Sequence, residues 1–239
     1  MDKNINENIK TTLLFAFKKS LPVMFGYLFL GSAFGIMLYE AGYNWVWAVF
    51  TSIVVYAGSG QFVLVSLLSS GASIATTAMM SLFINSRHII YGLSYIEKFK
   101  KGGWRYPFMI FGLTDETYSI NTSFTTVPDN VNEVKARYFI SLFDHIYWII
   151  GSVIGSLAGQ TIPIDFTGID FSMTALFVVI FIDLFRKQNG RKKLVGIIGI
   201  VCALICLIIF GADKFLLPAL ILTVAVLSGS KNYFSKEVV

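Results

Sequence analysis

Four groups of polar residues interrupt apolar stretches of the sequence, and they are where chemistry is expected. They are AGSGQ in VVYAGSGQFVLV, NSRH in SLFINSRHIIYGLSY, LTDETY, and DH in LFDHIYW. An ionisable side chain at the centre of an apolar, membrane-spanning helix costs about 2.5 to 3.5 kcal/mol, so function is its default explanation. The candidate residues for binding a substrate or a coupling proton are Gly58, Ser59, Gly60, Gln61, Asn85, Arg87, His88, Thr114, Asp115, Glu116, Asp144 and His145.

Together these groups suit a zwitterion that carries an apolar side chain. Arg87, or backbone N–H groups near Gly58, can hold a carboxylate. An acid of LTDETY, or Asp144, can hold an ammonium group or carry a proton, and the two histidines titrate near physiological pH. The structural alternative is that Arg87 pairs permanently with an acid of LTDETY, or that these segments end early and expose their charges to water.

The elements that position these residues must lie in a membrane. The chain has 239 residues, of which 55% are hydrophobic and 14% charged, and its mean hydropathy is +0.70. Such a composition is too apolar for an ordinary soluble domain. The basic residues cluster at 3–19, 98–105 and 186–193 beside apolar runs, so the net charge of +5 indicates membrane orientation and gives no support to nucleic-acid binding.

The sequence predicts an all-α, polytopic helical membrane protein with about seven or eight hydrophobic segments. A span takes about 20 apolar residues. A short cytoplasmic or interfacial segment is expected at 1–20, one transmembrane transport domain at 21–230 and a polar tail at 231–239, with a helix start at Lys18 to Pro22. The segments are 21–39, 45–69, 71–96, 106–124, 137–160, 169–185, 194–211 and 214–229.

The distribution of charge predicts discontinuous helices. All three basic clusters, and with them the N-terminus, should face the cytoplasm of a cell-membrane protein. Eight complete crossings would put the cluster at 98–105 on the opposite side from the N-terminus, so the pair 45–96 should make an odd number of crossings, and the same mismatch recurs for the pair 106–160. Some segments should therefore be broken or re-entrant. The run from Ala57 to Gln61 has low helix propensity and can unwind there, although small residues also serve close helix packing.

Small residues spaced four apart and two cysteines complete the pattern. Gly31 with Gly35, and Gly151 with Gly155 and Gly159, are typical of helix-packing faces. Cys202 and Cys206 lie four residues apart with no second pair, so neither a disulfide framework nor a metal site is expected, and no cofactor is predicted.

At these residues the chain resembles the AzlC family of branched-chain amino acid permeases, the large subunits of two-component exporters. The resemblance rests on LPVMFGYLFLGSAFG, YAGSGQF, NSRHIIYG, LTDETY, DHIYWIIGSVIGSLAG and IDFSMTALF, in that order. Gly60 departs from the alanine expected at its position. The resemblance implies export of branched-chain amino acids, dependence on the proton gradient, and a small AzlD-like membrane partner of about four spans. We expect that partner to dock on glycine-rich or aromatic faces such as Gly151 to Gly159.

Two other functions are weighed against transport. An intramembrane hydrolase needs an activated nucleophile, and AGSG has Ala57 where the first glycine of a G-x-S-G motif belongs. An ion or small-solute channel is the stronger rival, because a polar break in a helix can pass ions. Charges of both signs beside large apolar side chains favour an amino acid over an ion filter, so a transporter that is not an enzyme is predicted.

Overall fold

The computed structural model of the protein describes residues 8–124, 126–162, 168, 171–187, 190–211 and 215–230. Every regular element in these ranges is helical, which confirms the predicted fold class. Helix α1, helix α7 and residues Lys193–Phe210 of α9 are long and apolar enough to cross a bilayer. The elements are α1 (Ile9–Glu40), α2 (Trp45–Val54), α3 (Ser59–Ser69), α4 (Ile74–Lys100), a 3-10 turn (Gly103–Arg105), α5 (Tyr106–Phe111), α6 (Asp115–Ser123), α7 (Glu133–Thr161), α8 (Phe171–Lys187), α9 (Arg191–Phe210) and α10 (Leu216–Gly229).

Two of the predicted segments are broken into half-helices. Segment 45–69 forms α2 and α3, and segment 106–124 forms α5 and α6. The four half-helices contain 10, 11, 6 and 9 residues, whereas a complete crossing takes about 20. The discontinuous helices expected from the charge distribution are therefore present.

The order of half-helix, break, half-helix and long helix occurs twice. Trp45–Lys100 contains α2, α3 and α4, and Tyr106–Thr161, a range of equal length, contains α5, α6 and α7. Near the middle of the long helix, the first range has Arg-His-Ile at 87–89 and the second has Asp-His-Ile at 144–146. Transporters with discontinuous helices are commonly built from such repeated units.

The first helix begins earlier than its proline suggests. The Asn8 side chain caps α1 by accepting a hydrogen bond from Lys10 N at 3.0 Å, and Pro22 lies inside the helix. The predicted helix start at Lys18 to Pro22 is therefore wrong, because the apolar residues before it continue the helix. Residues 9–20 of the expected N-terminal segment belong to α1, whereas the expected tail at 231–239 lies outside the described residues.

Helices α1 and α7 form the core of the first part of the chain through direct backbone contact. A Cβ on Gly35 would lie 2.1 Å from Ser152 O, and a Cβ on Gly155 would lie 2.0 Å from Ser32 O. Small residues therefore let the two backbones touch, as the four-residue glycine spacing predicted.

This packing overturns one expectation about the partner. Gly151 lies against the backbone of Tyr27 and Leu28, and Gly159 lies against the Tyr39 ring, all from α1. The face from Gly151 to Gly159 is thus covered by the protein's own first helix. The prediction that a small subunit docks there is wrong.

The chain divides into two compact units, Met1–Met173 and Thr174–Val239. The second unit contains the rest of α8 with α9 and α10, and α9 packs against α10. Cys202 and Cys206 are buried free thiols of α9. The prediction of one transport domain over 21–230 stays a prediction.

Candidate functional site

The first break lies between α2 and α3, close to the predicted position. The connecting residues include two with positive φ, Tyr56 at 38° and Gly58 at 47°. Ala57 and Gly58 lie in the break, whereas Ser59 to Gln61 form the first turn of α3. Gly58 provides no side-chain cap, so helix-capping groups for the first N–H groups of α3 must come from elsewhere.

Gln61 braces this break from inside the protein. Its side chain is fully buried, and its Oε1 atom accepts hydrogen bonds from Trp148 Nε1 at 2.8 Å and from Ala57 N at 3.3 Å. Its Nε2 atom donates to Ser52 Oγ at 3.5 Å. Gln61 therefore ties the break and both of its half-helices to α7, which is a structural use of a residue that the sequence proposed as a binding candidate.

The second break lies between α5 and α6 at residues 112–114. Thr114 caps α6, because its hydroxyl accepts a hydrogen bond from Thr117 N at 3.3 Å. Asp115 and Glu116 occupy the first turn, where the helix dipole favours negative charge. LTDETY is thus the start of a half-helix and not the middle of a continuous span.

Arg87 of α4 joins the starts of the two half-helices. Its Nη2 atom lies 3.0 Å from Asp115 Oδ2 and also donates a hydrogen bond to Ser59 Oγ. Ser59 is the first residue of α3, and Asp115 is the first residue of α6. The Arg87 and Asp115 side chains remain 28% and 21% exposed, so the ion pair is only partly withdrawn from its surroundings.

Glu116 points into a buried hydroxyl network. Its Oε2 atom accepts a hydrogen bond from the Tyr27 hydroxyl at 2.7 Å. The Tyr27 and Thr114 hydroxyl oxygens are 2.6 Å apart. Thr114 donates to Thr117 Oγ1 at 3.1 Å, and Thr117 donates to Asp144 Oδ2 at 2.7 Å. Two sequence candidates, Glu116 and Asp144, are thus connected through side-chain hydroxyl groups.

The two histidines have different surroundings. His145 Nε2 lies 3.0 Å from the Ser52 carbonyl oxygen, and its ring stacks on Tyr56 with the ring centroids 4.0 Å apart. His145 therefore supports the backbone at the first break. His88 instead borders a cavity beside α4.

This cavity has a volume of about 550 Å³, within the range of small-molecule sites. Its wall is mainly apolar, and Asn85 and His88 add polar groups from α4. Among the described residues, no hydrogen-bond partner contacts the buried Oδ1 atom of Asn85. Arg87 lies between these two lining residues in sequence but contacts Asp115 and Ser59. The full lining is Val55, Tyr56, Ala57, Ser81, Asn85, His88, Ile89, Gly92, Leu93, Ile96, Tyr106, Ile110, Phe111 and Leu113.

Comparison with known proteins decides the family. Residues 22–162 match the family model described as AzlC protein, which is more than half of the chain. The chain is also 34% identical over 213 residues to the branched-chain amino acid transport protein AzlC of Bacillus subtilis, covering 89% of this chain and 83% of that one. This chain belongs to the AzlC family.

Other relatives carry less specific names. An uncharacterized membrane protein of Helicobacter pylori is 39% identical over 212 residues, covering 89% of this chain and 92% of its own. The inner membrane protein YgaZ of Escherichia coli is 27% identical over 195 residues, covering 76% and 77%. No solved structure matches the chain.

The AzlC match contains every candidate residue taken from the sequence. It begins at Pro22 in α1, ends at Ile162 just after α7, and includes both breaks. Within it, Arg87 contacts Ser59 and Asp115 directly. Glu116 and Asp144 are connected indirectly, through side-chain hydroxyl groups. Gly60 lies close to Asn85, since a Cβ there would be 3.0 Å from the Asn85 amide oxygen.

Sequence reasoning missed three residues that take part in the hydrogen bonding around the candidate site. Tyr27 and Thr117 carry the hydroxyls of the network, and fully buried Arg137 donates to the Asn121 and Phe124 carbonyl oxygens at the end of α6. Thr114 followed by Asp115 and Glu116 is a helix-start signal that could have located the beginning of α6. A tyrosine in an apolar helix gives no comparable signal.

Proposed function

We propose that this chain is the large subunit of a secondary transporter that exports branched-chain amino acids. In this proposal it lies in the cell membrane with its N-terminus in the cytoplasm, works with a small AzlD-like membrane subunit and uses the proton gradient. The name of the Bacillus subtilis relative supports the substrate class. Family membership and the repeated order of broken and long helices support a transporter.

The observation that carries the proposal is the place of Arg87 at the starts of α3 and α6. Two helix N-termini and a guanidinium group all favour a carboxylate. In the structure, Arg87 is paired with Asp115, and the distance from Arg87 Nη2 to Asp115 Oδ2 is 3.0 Å. A substrate carboxylate that takes its place would free Asp115 to accept the substrate ammonium group.

The cavity beside α4 supplies room for the remainder of the substrate. Its apolar wall suits a branched hydrocarbon, and the Asn85 Oδ1 atom can accept a hydrogen bond from an ammonium group. Binding of a zwitterionic substrate thus replaces one internal ion pair by two ion pairs, one between Arg87 and the substrate carboxylate and one between Asp115 and the substrate ammonium group. Little charge is left without a partner during the exchange, which limits the cost of burying it.

The test is leucine transport by vesicles that hold this chain with its co-expressed small subunit. Arg87→Gln should abolish the exchange of labelled leucine against unlabelled leucine. Arg87→Lys should also impair it, because an ammonium group cannot reproduce the two parallel hydrogen bonds that a planar guanidinium group donates to a carboxylate. Lys100→Gln is the matched control, since it removes an exposed cation that pairs with exposed Glu97. Vesicles without the small subunit should be inactive.

Stability measurements separate substrate binding from a purely structural ion pair. If the pair only holds the fold, Arg87→Gln should lower the melting temperature and Arg87→Gln with Asp115→Asn should restore both stability and transport. If Arg87 binds substrate, the double variant stays inactive whatever its stability. Arg87→Gln with normal transport would refute the site, and ion conduction without leucine exchange would favour a channel.

A further inference from the structure

Five oxygen atoms connect the carboxyl groups of Glu116 and Asp144 in one unbroken line. From Glu116 Oε2 the line passes through the hydroxyl oxygens of Tyr27, Thr114 and Thr117 to Asp144 Oδ2. The four successive contacts measure 2.7, 2.6, 3.1 and 2.7 Å. All four are within hydrogen-bond distance.

The number of hydrogens decides what this line can hold. Three hydroxyl groups supply three hydrogens, but four contacts each need one. If Tyr27 donates to Glu116, Thr114 to Thr117, and Thr117 to Asp144, then the 2.6 Å contact between Tyr27 and Thr114 has no hydrogen. One proton on one carboxyl group supplies the fourth hydrogen and satisfies the whole line.

Burial keeps this requirement from being met by solvent. Thr117 and Asp144 are fully buried, and Tyr27 and Thr114 are 3% and 5% exposed. Within the described residues, the second Asp144 oxygen has no hydrogen-bond partner. An ionised Asp144 would therefore rest on a single hydrogen bond, which is an expensive state for a buried carboxylate.

We propose that Glu116 and Asp144 share one proton and pass it between them through the hydroxyl groups of Tyr27, Thr114 and Thr117. When Glu116 gives its proton to Tyr27, the Tyr27 hydrogen moves to Thr114, the Thr114 hydrogen to Thr117 and the Thr117 hydrogen to Asp144. Each hydroxyl loses one hydrogen and gains one, so only the charge moves. The inference rests on the proposed function, because it assigns the residues that carry the coupling proton.

The surroundings place the entry of the proton at Glu116. Glu116 is half-buried and adjoins the Arg87–Asp115 pair, whereas Asp144 lies fully inside. A substrate that displaces Asp115 from Arg87 changes the charge beside Glu116, which couples substrate binding to the proton position. Further titratable groups near the line are Tyr56 from the first break and Tyr147 with His145 on α7.

The transport test compares two leucine fluxes in vesicles that hold the chain with its small subunit. Thr117→Val should lower the flux driven by an imposed pH gradient by about a hundredfold, the lower end for a positioned proton-transfer group. Exchange of labelled for unlabelled leucine needs no net proton movement, so it is measured on the same vesicles and the gradient-driven flux is expressed relative to it. Thr117→Ser keeps the hydroxyl and should respond to the gradient, and Tyr27→Phe should behave as Thr117→Val.

Two matched variants remove buried hydroxyls that lie off the line. Thr51→Val loses a hydroxyl that bonds to its own helix, and Tyr147→Phe loses one that lies 3.3 Å from Ser20 Oγ. Both should keep the response to the gradient. A full response in Thr117→Val would overturn the inference, and so would equal losses in Thr117→Val and Thr117→Ser, because the hydroxyl would then be irrelevant.

Infrared spectroscopy tests the shared proton without any transport. The purified protein at neutral pH should show the carbonyl stretch of a protonated buried carboxyl group. That signal should disappear in Glu116→Gln with Asp144→Asn and persist in Glu97→Gln, which removes an exposed carboxylate. Absence of the signal from the wild type, or an unchanged signal in the double variant, would contradict the inference. If vesicles with the wild-type chain and its small subunit move no leucine, the proposed function is refuted. The infrared result then decides whether Glu116 and Asp144 share a proton.

Discussion

Replacing Gly155 by alanine tests the contact between α1 and α7. The added Cβ would lie 2.0 Å from Ser32 O and 2.5 Å from Ser32 Cα. Both atoms belong to backbone, so no side-chain rotation relieves the clash. The two helices must separate by about 1 Å or more to reach ordinary van der Waals distance.

The expected cost follows from two opposing effects. Overpacking a well-packed interface costs about 1 to 3 kcal/mol, and the higher helix propensity of alanine returns at most about 1 kcal/mol. A 2.0 Å approach to backbone belongs at the upper end of that cost, so about 3 kcal/mol less about 1 kcal/mol should lower the free energy of unfolding of Gly155→Ala by about 2 kcal/mol. Gly26→Ala on α1 is the matched control, because, among the described residues, nothing beyond the adjacent turns of its own helix lies within 4 Å of the added Cβ. It should leave stability unchanged or raise it by up to about 1 kcal/mol.

Thermal unfolding of the purified variants in one detergent provides the measurement. At about 2 to 4 °C per kcal/mol, Gly155→Ala should melt several degrees below Gly26→Ala. If Gly155→Ala melted at or above the wild type, the close approach of α1 and α7 would be wrong. The prediction does not depend on substrate, partner or transport direction.

Two further predictions concern the first break and the orientation. Gln61→Leu should destabilise the protein by about 2 kcal/mol or more, because Trp148 Nε1 loses its acceptor, whereas Gln160→Leu at an exposed site should be neutral in the same melting experiment. With both native cysteines replaced by alanine, Glu40→Cys should react with a membrane-impermeant reagent in intact cells and Lys100→Cys should not. Labelling of Lys100→Cys from outside would remove the basis for the assigned orientation.

The sequence could predict the position of the first break but not that of the second, for which the charge distribution indicated only that a segment within 106–160 is discontinuous. Ala57, Gly58 and Gly60 lie close together and are small or poor helix formers, which marks a break directly. The second break contains a single glycine, Gly112, within an apolar run that resembles an ordinary helix. Only the capping role of Thr114 distinguishes it, and that signal is weak when its neighbours are acidic and are interpreted as a binding motif.

Long-range partners were the least predictable part of the site. Hydrophobic and small-residue spacing indicates which face of a helix packs, but it does not identify the neighbour. The expected docking of a partner on Gly151 was wrong for this reason, since α1 covers that face. Tyr27 and Glu116 likewise meet across a separation of 89 residues in the chain, which no local pattern encodes. The ion pair of Arg87 with Asp115 corresponds to the structural alternative weighed from the sequence, because a charge in an apolar segment demands an opposite charge.

The backbone contact between α1 and α7 also limits how the protein can move. Interlocked backbones have no flexible side chains between them to absorb sliding, so these two long helices should travel as one rigid piece during a transport cycle. The half-helices α3 and α6 are short. Each begins directly after a break, where a few residues can act as a hinge. In the transport cycle proposed above, we expect access to either side of the membrane to open by a small movement of α3 and α6 relative to α1 and α7. Arg87 contacts the first residue of both half-helices.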